Sequence, residues 1–229
     1  THEYWRSNGK FVPNIVLRLA SGGYIGGGLY HSQNIEGALA TLPGARIVCP
    51  SFADDAAGLL RTAMRSRGFT LYLEPKALYN SVEASSVVPE EFEVPFGKAR
   101  IRREGTDLSM ITYGNTTHFC LNVAERLAQE GWSVEVIDLR SLIPLDKETI
   151  YASVKKTSKA LVVHEDKVFS GFGAEIAAGI GTELFRYLDA PVQRVGSVFT
   201  PVGFHPILEK AILPTEDKIY DAARTLLEY

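Results

Sequence analysis

The feature that most limits the possible folds is a regular alternation of apolar runs and amphipathic segments from residue 107 onward. The apolar runs predict strands at 107–113, 133–138, 160–164 and 191–195, and the other segments predict helices at 115–130, 147–155, 172–188 and 215–227. Runs such as "SMITY" and "ALVVH" are nearly all apolar, which is typical of parallel strands buried on both faces. Strands and helices alternating at this spacing form right-handed βαβ units, so the sequence predicts an α/β fold with a mostly parallel sheet.

The first part of the chain shows a less regular version of the same pattern. Strands are predicted at 14–19, 46–49 and 69–73, with short helices at 34–42 and from 51 onward. Asn34 is the predicted N-cap of the first helix, and Ser51 with Asp54 resembles a capping box at the start of the second.

The stretch 76–95 combines prolines, serines and acidic residues and has no hydrophobic period. It is either a long surface loop within one domain or a linker between two. Structureless stretches of this length are uncommon inside a compact domain. We therefore predict two domains, at residues 1–92 and 93–229.

Composition and charge exclude several classes of partner. The net charge is −3 and there is no basic run, so we expect no nucleic-acid partner. No apolar run approaches the roughly 18–20 residues that span a bilayer, and no signal peptide opens the chain, so we expect no membrane partner. Cys49 and Cys120 lie in apolar surroundings and are expected to be buried free thiols.

A glycine-rich loop precedes the most reactive side chain of the first part. Five of the seven residues at 22–28 are glycines, and "YHSQ" follows directly at 30–33. The loop lacks the ending of a P-loop and the spacing of the dinucleotide fingerprint, so a phosphate cradle is not favoured. Glycines permit a close approach of ligand to backbone, and an imidazole exchanges protons near neutral pH. The residues alone leave two interpretations of His31 open, a reactive group beside a ligand or the start of a surface helix.

The remaining histidines and acids give weaker signals. His164–Asp166 ends a predicted strand and faces a second glycine loop at 170–173, where a helix N-terminus favours an anion but packing between loops is the preferred interpretation. We expect structural roles for His118 and His205. No set of His, Cys, Asp or Glu has metal-ligand spacing, so no metal ligand is predicted in this chain.

Several motifs occur in a fixed order along the whole chain. They are "GGGLYHSQNIEGALATLPGARIVCPSFADDAAGLL", "LYLEPKALY", "VEVIDLRSLIPLD", "VVHEDKVFSGFGAEIAA" and "DAPVQRVGSVFTPV". In this combination the chain resembles the beta subunits of the thiamine-diphosphate-dependent decarboxylating dehydrogenases of 2-oxoacid dehydrogenase complexes. The Tyr-His-Ser-Gln form is most similar to the branched-chain, 2-oxoisovalerate type. The resemblance implies the C-terminal part of a pyrimidine-binding domain of thiamine enzymes, followed by a transketolase C-terminal-like domain.

The resemblance also assigns roles to residues around the loop. His31 takes the place of the family's catalytic histidine, which acts on substrate or on the lipoyl group. Its neighbours would contact the bound molecules. The residues next to the cofactor would be Gly27, Gly28 and Tyr30, and those next to the substrate would be Ser32 and Gln33. The implied cofactor is thiamine diphosphate with Mg²⁺, shared with an alpha subunit or a fused alpha region that supplies the diphosphate and metal site.

One family residue has no counterpart here. The glutamate that activates the cofactor in the family precedes anything that matches Thr1, so we expect a truncated chain that is inactive alone. The expected function is a part of an oxidoreductase that decarboxylates a 2-oxoacid and transfers the acyl group to a lipoyl group. Three alternatives remain: a pyruvate or acetoin dehydrogenase beta subunit, a piece that retains only docking, or a related transketolase-type enzyme.

The resemblance finally implies partners and a location. Besides the alpha partner, the second domain of such subunits docks the acyltransferase core through a small basic domain. A suitable acidic surface would comprise four side chains and the terminal carboxylate: Glu216, Asp217, Asp221, Glu228 and Tyr229. We expect a homo- or hetero-oligomer, located in the bacterial cytoplasm or the mitochondrial matrix.

Overall fold

The computed structural model describes residues 1–229 and contains nine strands and nine α-helices. The strands are β1 (Asn14–Ser21), β2 (Ala45–Val48), β3 (Gly68–Pro75), β4 (Arg100–Arg103), β5 (Leu108–Thr112), β6 (Val134–Asp138), β7 (Ser141–Ile143), β8 (Ala160–Lys167) and β9 (Gln193–Ser197). The helices are α1 (His2–Arg6), α2 (Gly28–His31), α3 (Glu36–Leu39), α4 (Ala53–Arg65), α5 (Thr116–Ala128), α6 (Lys147–Thr157), α7 (Gly173–Glu183), α8 (Pro206–Ile212) and α9 (Glu216–Leu227). Short 3₁₀ turns lie at Lys76–Leu78 and Phe185–Tyr187.

The strands form two sheets of the predicted mostly parallel type. The first sheet has the order β1-β3-β2-β7, and only β7 is antiparallel to its neighbour. The second has the order β4-β6-β5-β8-β9, and only β4 is antiparallel. Strand β7 follows β6 along the chain but pairs with β2, so the second half of the sequence supplies an edge strand to the first sheet.

The predictions for the second half of the chain are confirmed. Every strand and helix predicted after residue 107 is present, with end points that differ by a few residues. The largest differences are at β8, which continues to Lys167, and at α7, which ends at Glu183 before a 3₁₀ turn. Nearly continuous apolar runs identified these strands because both faces of the sheet are buried.

The predicted capping box at the start of α4 is wrong. The N-cap of α4 is Phe52, and no side chain caps this end. The Ser51 side chain does not bind the helix N-terminus, because its hydroxyl donates to the buried Asp138 carboxylate at 2.9 Å. The backbone N–H of Asp54 donates instead to the Ser86 hydroxyl at 2.7 Å.

The predicted cap of the helix at 34–42 is also wrong, and the helix is shorter than expected. Its N-cap is Ile35 rather than Asn34, and the helix covers only Glu36–Leu39. The carboxylate of Glu36 turns back and accepts the Ile35 N–H at 3.1 Å. The Gly37 N–H, a donor that a capping side chain would bind, donates instead to the Asp166 carboxylate of β8 at 3.1 Å.

Four short elements have no signal in the sequence pattern: His2–Arg6, Arg100–Arg103, Ser141–Ile143 and Pro206–Ile212. Residues 79–99 contain no helix or strand, as expected for the predicted linker. This stretch nevertheless packs against the rest of the chain, since buried Val94 lies in a cluster with Leu59 and Tyr72. The division at residues 92 and 93 remains a prediction.

The largest core lies between the two sheets and includes side chains of both halves, such as Ile47 and Leu71 with Ile111 and Ile137. A second core belongs to the second half alone and lies beneath α5 and α9. Both cysteines are buried and free, as predicted. No helix combines the length and the apolar character that crossing a membrane requires.

Candidate active site

The glycine loop leaves the end of β1 and leads into the single turn of α2, whose last residue is His31. A hydrogen bond joins the two ends of this segment, because the Gly22 N–H donates to the Gln33 carbonyl at 2.9 Å. The imidazole of His31 is exposed at the surface. The structure therefore presents this histidine outward from a closed loop between the two sheets.

Close packing accounts for two of the glycines that were predicted to contact a cofactor. A Cβ atom on Gly27 would lie 2.8 Å from the His31 Cβ and 2.9 Å from the Ser32 hydroxyl. A Cβ on Gly28, which has a φ of +59°, would lie 3.3 Å from the ring of Phe204. Small residues are thus required here by the neighbouring side chains of the same chain.

The neighbours of His31 differ in their orientation. Tyr30 is 85% exposed, and Gln33 is exposed while its amide donates to the Leu29 carbonyl at 2.7 Å. Ser32 is fully buried, and its hydroxyl has no hydrogen-bond partner. His31, Tyr30 and Gln33 thus reach the surface together and Ser32 does not. The cofactor and substrate roles predicted for these residues stay predictions.

Side chains of the second half hold the loop in place. The Gly23 N–H donates to the Glu165 carboxylate at 2.5 Å, and the Gly26 N–H donates to Glu209 at 3.3 Å. The Tyr24 hydroxyl donates to the Pro214 carbonyl at 2.9 Å. Carboxylates of the same chain thus occupy backbone N–H groups that an external phosphate would need, in agreement with the sequence argument against a phosphate cradle.

A cluster of buried titratable groups lies behind the loop. Burial raises the pKa of Glu36 to about 8 and that of Glu165 to about 7, and it also raises the pKa of Asp166. The hydroxyl of Tyr113 donates to Glu36 at 3.0 Å. Burial lowers the pKa of His164 to about 4, so this ring is neutral at neutral pH.

Sequence reasoning found only part of this cluster. The strand-end motif drew attention to His164–Asp166, and close contact between His164 and Gly173 agrees with the predicted packing between loops. No pattern in the sequence indicates that Glu36 and Glu209 are buried beside the loop, since neither lies in an apolar run. Their positions depend on contacts between distant parts of the chain.

The histidines expected to be structural make contacts of that kind. A ring nitrogen of His118 lies 2.8 Å from the Ser51 carbonyl, and the ring packs on Phe52. The ring of His205 accepts the Ile207 N–H at 3.3 Å and caps α8.

Apolar side chains are exposed on the segment that borders the loop. Phe204 contacts Gly28 and is 76% exposed. Phe199, Ile207 and Leu208 are also exposed on this segment. Exposed apolar patches of this kind mark surfaces that bind other molecules.

The residues around His31 do not form a complete site for a diphosphate-bearing cofactor and its metal. No group of three or more His, Cys, Asp or Glu side chains is arranged to hold a metal ion. A cavity of about 440 Å³ lies elsewhere, with Phe52, Leu60 and Tyr72 among its lining residues. The loop offers one exposed wall, and no reaction step can be derived through a cofactor from this chain alone.

Comparison with known protein families matches both predicted domain types in the predicted order. Residues 4–82 match the transketolase pyrimidine-binding domain, and residues 97–219 match the transketolase C-terminal domain. The predicted boundary falls in the unmatched stretch between them.

Comparison with individual proteins gives relatives along nearly the whole chain. The chain is 40% identical over 226 residues to a 2-oxoisovalerate dehydrogenase subunit beta of Bacillus subtilis, covering 98% of this chain and 69% of the relative. It is 39% identical over 225 residues to a pyruvate dehydrogenase E1 component subunit beta of the same organism, covering 98% and 69%. A mitochondrial pyruvate dehydrogenase E1 component subunit beta-1 of Arabidopsis thaliana is 40% identical over 222 residues, covering 96% and 61%. The chain thus spans roughly two thirds of the length of these relatives.

A solved structure described as a split-gene transketolase, inactive beta4 tetramer, has a similar fold. The TM-score is 0.72 at 23% sequence identity, and the match covers 93% of this chain and 66% of that one. At this identity the similarity supports the fold alone.

Proposed function

Because this chain belongs to the family of thiamine-diphosphate-dependent 2-oxoacid dehydrogenase beta subunits, we propose that it forms the beta part of a decarboxylating 2-oxoacid dehydrogenase. The proposed substrates are 2-oxoisovalerate and related branched-chain 2-oxoacids, and the acyl group passes to a lipoyl group. The Tyr-His-Ser-Gln motif favours this substrate class. Nearly equal identity to pyruvate dehydrogenase subunits makes pyruvate the second candidate.

The observation that carries the proposal is the exposed imidazole of His31 at the end of a loop fixed between two sheets. A histidine side chain in this position can exchange a proton with a bound molecule, or hold a substrate carboxylate. Because its loop is closed at the base, the backbone that carries the ring has a defined position relative to the rest of the chain.

The other roles follow from position around this ring. Gly27, Gly28 and Tyr30 would form the wall on the side of thiamine diphosphate, and Gln33 would contact the substrate. Ser32 is also proposed to contact the substrate, which requires a shift of α2 that exposes its buried, unpartnered hydroxyl. The cofactor and its Mg²⁺ would be held at a boundary with an alpha-type partner. The proposed domain division at 92 and 93 assigns His31 to the first domain and the residues that hold its loop to the second.

Two partner surfaces are part of the proposal. The exposed apolar segment around Phe204 would be covered by the alpha-type partner. The acidic side of α9 would bind a basic domain of the acyltransferase core. Three of its acids already have partners within the chain: Glu216 with Asn122, Asp217 with Arg126, and Glu228 with Arg224. Asp221 would then carry most of that attraction. The cytoplasmic or mitochondrial location remains a prediction.

The central test is the His31→Ala variant in the protein restored to full length and assembled with the alpha-type partner, measured by acylation of a lipoyl domain. We expect acylation to slow by about 10²–10⁴-fold, the usual contribution of a general acid or base. His2→Ala, which removes another exposed histidine, is the matched control. An unchanged acylation rate in the His31 variant would exclude this residue from the mechanism, and parallel assays with pyruvate and 2-oxoisovalerate would distinguish the two substrate classes.

Docking alone is a second candidate function, because the acidic first turn of α9 would serve a binding partner without the loop that carries His31. A pull-down with the peripheral binding domain of the acyltransferase, combined with the decarboxylation assay, separates the two. Binding without any decarboxylation in the assembly would favour docking alone.

A further inference from the structure

Two consecutive acidic residues at the end of β8 bind both ends of the segment that carries His31. The Glu165 carboxylate accepts the Gly23 N–H at 2.5 Å, and the Asp166 carboxylate accepts the Gly37 N–H at 3.1 Å. The glycine loop, α2 and His31 all lie between these two points of the chain.

We propose that Glu165 and Asp166 are positioning residues that hold His31 by binding the backbone at both ends of its segment. This inference rests on the proposed function, since it gives His31 a role that requires a fixed position. Neither carboxylate is proposed to touch substrate or cofactor.

The backbone lies directly on the two carboxylates. A Cβ on Gly22 would be 2.6 Å from a carboxylate oxygen of Glu165, and a Cβ on Gly37 would be 2.8 Å from a carboxylate oxygen of Asp166. Such distances exclude any larger side chain without a shift of the carboxylate. The two glycines at these contacts are therefore matched to the two acids.

The two acids are themselves fixed to the second sheet. Both are buried on β8. The Glu165 carbonyl accepts the Ser197 hydroxyl from β9, and the second carboxylate oxygen of Asp166 accepts the Lys167 N–H at 2.8 Å. Movement of the loop relative to the second sheet would thus break hydrogen bonds to charged, buried acceptors, which are among the stronger hydrogen bonds in proteins.

The charges around Glu165 come from several elements. Those that face it are Glu209 of α8, Lys76 of the 3₁₀ turn, Lys167 of β8, Glu36 of α3, Tyr24 of the loop and the thiol of Cys49. Burial raises the pKa of Glu165 to about 7, whereas the Gly23 N–H acts in the opposite direction. The hydrogen bond to Gly23 is therefore strongest at a pH above this value, where the carboxylate is ionised.

The test compares Glu165→Gln and Asp166→Asn with Glu135→Gln in the full chain. Glu135 is a matched control because it is a buried carboxylate of the same sheet that pairs with Lys156 rather than with the loop. We expect the first two variants to accelerate amide hydrogen exchange at residues 22–37 by about tenfold or more and to shift the ring proton resonances of His31. The control should lower the melting temperature and leave both signals unchanged, which separates positioning from general stability.

An unchanged His31 resonance and unchanged exchange in both Glu165→Gln and Asp166→Asn would overturn the proposal. If a variant fails to fold, the wild-type chain provides the test. The amide proton of Gly23 should then shift as the pH falls and Glu165 becomes protonated, and an amide that does not respond to acid at all would equally overturn the proposal.

These readouts need neither substrate nor partner, so they judge the positioning role separately from the reaction. Full acylation activity in His31→Ala would refute the proposed role of His31, whereas a wild-type assembly that acylates no lipoyl domain from either 2-oxoacid would refute the proposed function. Wild-type spectra in the carboxylate variants would refute the positioning role even if His31 is essential for acylation.

Discussion

The two sheets are made of the same kind of strand but differ in how well they are covered. Every residue of β5 and β6 in the second sheet is buried. In the first sheet, the edge strand β1 is buried only at its last residue, and Ile15 and Leu17 are 51% and 43% exposed. Parallel strands are normally covered on both faces, so the edge strand β1 leaves apolar surface exposed. The edge strand β4 of the second sheet is exposed as well, but it carries three arginines and a single exposed apolar side chain, Ile101.

The two halves also differ in where their cores lie. The second half contains a core of 15 buried residues of its own, whereas the corresponding cluster on the outer side of the first sheet has four, one of them Val94. Half of the buried apolar residues of the first half, five of ten, belong to the core that it shares with the second half, and only three belong to the outer cluster. The first half therefore depends on the second for its stability, and the reverse dependence is weaker.

The largest effect is expected where buried charges join the halves. Asp55→Ala removes a fully buried carboxylate of α4 that pairs with Arg140 at 2.7 Å and also with Arg102. Breaking a buried ion pair leaves charge uncompensated, so we expect the free energy of unfolding in urea to fall by about 3–5 kcal/mol. Glu125→Ala, which breaks an exposed pair with Arg103, is the control and should cost less than about 1 kcal/mol. Equal losses would mean that the junction contributes little.

The difference between the sheets can be tested with one substitution in each. Leu161→Ala removes a fully buried side chain from the core of the second half, and we expect it to lower the free energy of unfolding by about 2–5 kcal/mol. Leu17→Ala on the exposed edge strand should cost less than about 1 kcal/mol. A comparable loss at Leu17 in the isolated chain would contradict the exposed position of β1.

The loop between the sheets gives a smaller and more specific effect. Gly22 and Gly26 both have a positive φ, but only at Gly22 would an added Cβ meet another residue, the Glu165 carboxylate. We expect Gly26→Ala to cost about 1 kcal/mol from backbone strain alone, and Gly22→Ala about 2–3 kcal/mol, measured by thermal unfolding. Similar losses at both positions would show that contact with Glu165 adds nothing.

The smallest effect is a pH dependence. With a folded pKa of about 8 against an ordinary value of 4.5, Glu36 binds a proton in the folded chain that the unfolded chain lacks between these two values. Stability should therefore fall as the pH rises through this window, by at most about 1.4 kcal/mol per pH unit from this group. The unfolding free energy of Glu36→Gln, measured at pH 6 and pH 7 beside the wild type, should lack this contribution. Parallel curves for the two proteins would refute the raised pKa.

The fold of the second half could be predicted from the sequence more completely than that of the first half. In the second half, strands buried on both faces leave long apolar runs, so their positions could be predicted. The caps of α3 and α4 could not, because Glu36 and Ser51 bind groups whose positions depend on the tertiary fold. Strand β7 is three residues long, and its place depends on pairing with a strand about 95 positions earlier, at Val48 and Ser141 for example.

The candidate site also has a part that the sequence predicts and a part that it does not. The glycine loop and His31 are adjacent in sequence, and their combination marked the histidine as a candidate, to which the family resemblance then assigned a role. The carboxylates of Glu165 and Glu209, which hold that loop, come from 142 and 183 residues further along the chain from their donors. Only the three-dimensional structure shows that the glycine N–H groups are bound by the protein itself.

The pairing of β2 with β7 has a consequence for how the polypeptide tolerates breakage. The hydrogen bonds at Ile47 and Ile143 and at Val48 and Ser141 tie the halves together independently of the linker. A protease that nicks the irregular stretch at 79–91 would therefore release no fragment, and the two products would migrate together until a denaturant separates them. The covalent connection between the sheets can be lost or lengthened while the site at their junction keeps its shape.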